Sequence, residues 1–251
     1  ARSLVTKAAR VIGFCFGANT KTLYQSSYLV ELLDGVMNVA EEAGYNIMLY
    51  TRLDDNADDR YSNLFLDQSI DGLVLAAPAP NNPLPEKLVA MGLPLIVIGM
   101  EAPGPRIPYI DVDNVKGAEL ALEHLWEMGH RRIAHVGGVP IQLSAQQRYE
   151  TYRRFMAEHE QPVLAEWETW TYFNYETGKE ATHKILSAPE RPTAIFAAND
   201  HVALGVIAAA NERGLRVPED LSVVGFDDIR EAEMAQPGIT TIRQPIRDIS
   251  Q

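Results

Sequence analysis

Short apolar runs rich in β-branched residues alternate with longer stretches of helical period along this chain, and that alternation leaves few folds open to it. Val11–Phe16, Asn46–Tyr50, Gly72–Ala76 and Leu95–Ile98 are apolar nearly throughout. That pattern is expected of parallel strands covered on both faces. Between the first two, Leu29, Leu32, Leu33, Val36, Val39, Ala40 and Ala43 recur at steps of three and four. The spacing puts them on one stripe of a helix, and Gly44 stands where a C-cap would close it.

The scheme then repeats. Val115, Ala118, Ala121, Leu122 and Leu125 mark a helix ended by Gly129, and a strand is expected over Arg132–Val136. Further strands are expected at Ala194–Ala197 and Ser222–Phe226, with an Ala-rich helix over 201–213 and its stop at Gly214 between them. Two successive βαβ series predict an α/β protein built as two doubly wound parallel-sheet lobes with a ligand cleft between them. The break is expected near Tyr109–Asp113, after Pro103, Pro105 and Pro108.

Composition narrows the function. With 34 acidic against 22 basic side chains and a net charge of -12, the body is ill suited to grip a polyanion. Nucleic-acid affinity rests mainly on phosphates neutralised by Lys and Arg. The single cysteine, Cys15, provides no disulfide framework and fits a reducing compartment, so the cytoplasm is the expected location. No run of 18 apolar residues is present, and no membrane partner is expected. The densest charge cluster, Asp54–Asp59, reads as a solvated helix start; it lacks the glycine and distal glutamate of a calcium loop.

In open α/β sheets ligands bind beyond the carboxyl ends of the strands. Just there stand Asp227 and Asp228 after Phe226, Asn199 and Asp200 after Ala198, and Gly137, Gly138, Ser144 and Arg148 after Val136. A carboxylate, an amide and a guanidinium together suit a polyhydroxylated ligand, because each hydroxyl both donates and accepts. Trp167, Trp170, Tyr172, Phe173 and Tyr175 crowd one segment and offer flat faces for stacking. Structural readings stand beside these: Asn199 or Asp200 as a helix N-cap, Asp227 as the cap of a short turn, Arg148 as a surface partner of Glu150 or Glu158.

No catalytic arrangement accompanies them. The chain has no GxSxG, HExxH, GxxxxGK[ST] or GxGxxG motif in the required context, and its six histidines lack metal spacing. His130, just past a helix end, reads as a charge suited to the helix dipole. Adjacent Asp227 and Asp228 beyond a strand are expected to point apart. No enzyme, cofactor or metal is expected.

Taken in order, Asp113-Asn114, Gly117-Ala118, His124-Leu125, Gly129–Ala134, Gly137-Gly138, Arg191–Asp200, Gly205, Gly214–Asp228 and Thr240–Pro245 resemble the effector domains of the LacI/GalR family of bacterial transcriptional repressors. The resemblance spans almost the whole chain. It implies two periplasmic-binding-protein-like lobes, a small sugar or sugar-like effector, and a homodimer. Arg148 falls on the family's effector-gripping arginine, Asp227 on its hydroxyl acceptor, Asn199 on its A-x-N-D amide and Phe173 on its stacking ring; Ser144 joins them. Thr151 stands where relatives usually carry glycine, and Ser26–Leu29 replaces a common N-P-F-F, with Tyr28 as a wall residue.

The resemblance also implies a headpiece ahead of residue 1 and a further stretch beyond Gln251, so the chain is read as part of a longer repressor. The expected division is 1–9 as hinge remnant, 10–112 with 244–251 as an incomplete N-terminal lobe, and 113–243 as C-terminal lobe. Leu4 falls on the hinge leucine that wedges into the minor groove, with Arg2 and Lys7 near phosphates. Operator DNA is therefore a partner only of the full-length protein. The rival reading is an exported sugar-binding protein of a transporter, which shares the fold.

Overall fold

Both βαβ series fold as parallel sheets in the computed structural model, which describes residues 8–16, 26–50, 69–78, 82–99 and 107–250. The chain divides into two units: Ala1–Val112 with Pro245–Gln251, and Asp113–Gln244.

In the first unit, β1 (Val11–Phe16), α1 (Ser27–Glu42), β2 (Asn46–Tyr50), β3 (Gly72–Ala76), α2 (Leu84–Ala90), β4 (Leu95–Ile98) and β5 (Tyr109–Ile110) give the strand order β2-β1-β3-β4-β5. Ser26 starts α1 by accepting from the Leu29 N–H at 3.4 Å. Gly44 follows the helix at φ +73, the left-handed conformation a C-cap glycine adopts without steric cost. Phe14, Phe16, Leu32, Val36, Ala76 and Ile98 pack together, joined by Ile246 and Ile249 of the last short helix, α8 (Ile246–Ile249). Gly35 makes that union possible, since a Cβ there would overlap the Ser250 hydroxyl.

The second unit begins with α3 (Asn114–Glu127) and continues through β6 (Ile133–Gly137), α4 (Leu143–Glu158), β7 (Glu168–Trp170), α5 (Tyr175–Ile185), β8 (Ala194–Ala197), α6 (Asp200–Glu212), β9 (Ser222–Asp227), α7 (Arg230–Met234) and β10 (Thr240–Arg243). Its strand order is β10-β9-β8-β6-β7. Side chains alternate between faces along each strand. Ala134, Val136, Ile195 and Ala197 therefore enter one core with Trp167, Val202 and Val206, while Ile133, Ala194 and Phe196 enter another with Leu122, Tyr152 and Phe155. Two buried faces explain why β8 is apolar at every position, and β6 at all but His135, rather than at every second one.

His130 departs from the helix-dipole reading. Its Nδ1 meets the Thr193 hydroxyl and its Nε2 the Ser222 hydroxyl, both at 2.9 Å, which ties together the residues leading into β6, β8 and β9. Burial lowers its pKa, with the charges of Arg131 and His124 adding to the effect, so a neutral ring is favoured. The Asp54–Asp59 cluster lies outside the described residues.

Candidate functional site

The order β10-β9-β8-β6-β7 reverses direction between β6, whose next strand β7 lies on one side, and β8 on the other. Chain connections diverge at such a point, and the space beyond the carboxyl ends is where open α/β sheets take ligands. Gly137 and Gly138 close β6, Ala198 and Asn199 follow β8, and Asp227 ends β9.

Arg148 lies in the second turn of α4 and is buried, with 4% of its surface exposed. Its Nε and Nη2 donate to the Asn114 Oδ1 at 3.1 and 2.8 Å, and its Nη1 donates to the Ala198 carbonyl at 2.5 Å. The guanidinium carbon sits 3.6 Å from the centre of the Phe226 ring, a cation–π contact. Gly117 in α3 leaves the space that this ring fills. Asp113 caps α3 through the Lys116 N–H at 2.8 Å and so fixes Asn114 at the helix start. The surface pairing with Glu150 or Glu158 is thereby excluded; Glu158 lies 3.8 Å from Arg154 instead.

Asp227 is buried at φ +114, and Asp228 follows at φ +61. Two non-glycine residues in succession at positive φ store strain of about 1–3 kcal/mol each and persist only where surroundings hold them. Gln244 supplies part of that hold: its Nε2 donates to the Asp227 Oδ1 at 2.6 Å and its backbone N–H to the Asp227 carbonyl at 3.1 Å. Asp228 turns outward to pair with Arg243. The adjacent acids point apart, so they form no acid–base pair. Burial pushes the Asp227 carboxyl up to about 7 against the opposing pull of Arg148, and the charge of Asp200 adds to the rise.

Asn199 caps α6, accepting from the Val202 N–H at 2.9 Å, and its Nδ2 donates to the Phe173 carbonyl at 3.3 Å. A hydrogen bond from it also favours the charged form of Asp227. The capping role and a contact with Asp227 thus coexist. Asp200 does different work: fully buried, it accepts from the Ile229 N–H at 3.0 Å and the Thr241 hydroxyl at 2.5 Å, holding the turn after Asp227. Burial raises its pKa to about 6. Gly225 is required beside it, because a Cβ would run into that carboxylate.

Phe173 is half-buried at φ +56, its ring against Gly138, where any Cβ would collide with it. Ser144 is half-buried one helical turn before Arg148. Of the other rings, Trp167 belongs to the core, while Trp170, Tyr172 and Tyr175 are exposed. The second unit therefore gathers Arg148, Asp227, Asn199 and Phe173, with Ser144 nearby. Tyr28 belongs to the first unit, half-buried in α1, with its hydroxyl 3.7 Å from where a Cβ on Gly99 would stand. Leu4 and Arg2 lie outside the described residues.

Asn114, Phe226 and Gln244 were not singled out by sequence reasoning, although each sits inside a motif that carries the resemblance. Nothing local signals that Asn114 serves a side chain 34 positions away. Among the described residues no group of three His, Cys, Asp or Glu side chains is placed to hold a metal ion, and no helix is long and apolar enough to cross a membrane. What the arrangement offers is a fixed cation, a carboxylate poised near neutrality, an amide and a ring face.

Comparison with known proteins agrees with this fold. Residues 122–251 match the periplasmic binding protein-like domain family. The chain is 30% identical over 251 residues to the transcriptional regulator CelR of Thermobifida fusca, covering 98% of this chain and 73% of that one. It is 31% identical to the transcriptional repressor PurR of Pectobacterium carotovorum, covering 100% and 73%. Among solved structures, a CelR–cellobiose complex superposes with a TM-score of 0.88 at 28% identity, over 97% of this chain and 75% of that one. A LacI-family regulatory protein from Chloroflexus aggregans gives 0.84 at 27%, over 96% and 87%. These relatives are regulators rather than enzymes. With the two parallel sheets, the ordered motifs and these matches in agreement, the chain belongs to the LacI family of transcriptional regulators, of which it carries the periplasmic-binding-protein-like effector core.

Proposed function

We propose that this chain senses a small polyhydroxylated effector, a sugar or sugar acid, beyond the carboxyl ends of β8 and β9, and that the effector controls operator binding by the full-length repressor. The observation that carries the reading is the burial of Arg148 and Asp227 together in one braced frame. Burying a guanidinium and a carboxyl in one frame is a poor way to gain stability, and strained backbone at the carboxylate is a mark of functional sites. Arg148 donates to ligand oxygens, Asp227 accepts from hydroxyls, and Phe173 offers a stacking face to the apolar side of a ring. The cellobiose bound to CelR supports a saccharide.

On this reading the core works as a cytoplasmic homodimer without catalysis. Effector alters DNA binding only through unequal affinity for two conformations; moving the balance from 1:99 to 99:1 takes about 5.5 kcal/mol. The relatives' regulatory roles favour this over an exported transporter component. The test is a thermal-shift screen of sugars, sugar acids and nucleobases, followed by calorimetry on Arg148→Ala. Loss of charged hydrogen bonds to the effector removes about 1.5–3 kcal/mol, roughly 10- to 150-fold in affinity. Unchanged affinity in a folded variant removes Arg148 from the site.

A further inference from the structure

A cavity of about 410 Å³ opens at the amino ends of the second unit's strands, opposite the residues gathered beyond β8 and β9. Arg132 lies directly before β6, Thr193 directly before β8, and Asp220 two residues before β9; all three line it. Its volume falls in the range of small-molecule sites, about 300–1,000 Å³. The wall is firm. The Trp167 indole N–H holds the Glu190 carbonyl at 2.9 Å, and the Thr193 N–H holds the Arg132 carbonyl at 2.8 Å.

Four charged side chains line it, Arg132, Arg191, Glu190 and Asp220, and the two acids are already engaged by arginines. Asp220 is engaged by Arg216, whose Nε, Nη2 and backbone N–H reach it at 2.8, 3.1 and 2.9 Å. Glu190 reaches Arg132 only at 3.5 Å, the limit of a hydrogen bond. Arg191 is exposed and forms no hydrogen bond or close ion pair among the described residues, though its charge helps hold the Asp220 carboxyl low. Arg191 and Arg132, the latter only loosely paired with Glu190, thus flank a cavity whose lining also includes Asp220, Leu186, Pro189, Pro192 and Leu215. Guanidinium forks bind carboxylate and phosphate oxygens in pairs, which suits an anionic head, and the leucine and proline surfaces suit a short apolar body.

We propose that this cavity is a second ligand site, separate from the effector site, which takes a small organic anion: a carboxylate or phosphate head held by Arg132 and Arg191, with a short apolar body against Leu186, Pro192 and Leu215. It gives the regulator core an input that does not compete with the effector.

The test is an amide NMR titration of the full chain with isovalerate, phosphoenolpyruvate and inorganic phosphate as separate probes. The expected result is saturable shifts confined to residues 186–193 and 215–220 with at least one organic anion. Arg191→Ala and Arg132→Ala weaken that binding by about tenfold or more, and Arg148→Ala leaves it unchanged. Isovalerate binding alone assigns a carboxylate head; phosphoenolpyruvate binding alone assigns a phosphate-bearing one. The proposal is overturned if no organic anion gives saturable shifts, if the shifts persist in Arg191→Ala, or if inorganic phosphate binds as tightly as the organic probes. Loss of these shifts in Arg148→Ala assigns them to the effector site and likewise overturns it.

Discussion

Replacing Asp227 with asparagine tests the electrostatics of the site without emptying it. The side chains are nearly isosteric, and an asparagine Oδ1 still accepts from Gln244. In the folded chain the carboxyl is raised from 3.8 to about 7, chiefly by burial. At about 1.4 kcal/mol per pH unit, ionising it in place is harder than in the unfolded chain by up to about 4 kcal/mol. A carboxyl whose pKa is higher when folded binds more protons in that state, so its contribution to stability is present below about pH 4 and lost as pH rises to about 7. An uncharged amide carries no such penalty. The gain of Asp227→Asn over the parent is therefore near zero below about pH 4, about 1.6 kcal/mol at pH 5 and as much as about 4 kcal/mol by pH 8. Other groups titrate in the same range. Asp200, raised to about 6, acts with the same sign, while His135, buried and lowered to about 4, loses stability as pH falls from 6.5. Both remain in the variant and largely cancel in the difference. Urea unfolding followed by circular dichroism at pH 5 and pH 8 measures it. A gain that does not grow with pH, or a loss at pH 8, refutes the reasoning. Effector affinity should fall in the same variant, since the hydroxyl acceptor loses its charge, a stability gained at the expense of function.

Two glycine substitutions probe the packing on either side of this chemistry. Gly138→Ala drives a methyl into the Phe173 ring, and displacing that ring should weaken effector binding measured by calorimetry, with a stability loss of about 1–3 kcal/mol; unaltered affinity argues that Phe173 does not stack on the ligand. Gly205→Ala puts a Cβ against the Tyr175 carbonyl and the Gly178 and Lys179 backbone, where α5 and α6 cross most closely. Backbone cannot rotate aside as a side chain does, so the loss in urea unfolding should reach about 3 kcal/mol, and a neutral result would mean the helices separate freely.

The strands and their parallel class were legible in the sequence because burial on both faces leaves a continuous apolar run, a local signal needing no knowledge of partners. Helix ends at Gly44, Gly129 and Gly214 were legible for a similar reason: each adopts positive φ, a demand that one residue type meets best. Placing candidate ligand residues after strands Ala194–Ala197 and Ser222–Phe226 also needed only chain order. The pattern could not say how those residues divide their work. Asn199 and Asp200 are adjacent, and either reads as a cap; the fold makes Asn199 the cap and buries Asp200 against Ile229 and Thr241. Asp227 and Asp228 read alike, yet one faces Gln244 in the interior and the other Arg243 at the surface. Arg148 read equally as a surface ion-pair partner until Asn114, Ala198 and Phe226 closed around it. Local periodicity reports which face of an element is buried. The partner and the protonation state of a polar group depend on what chain-distant residues bring to it, and burial that desolvates a charge exists only once the elements have packed.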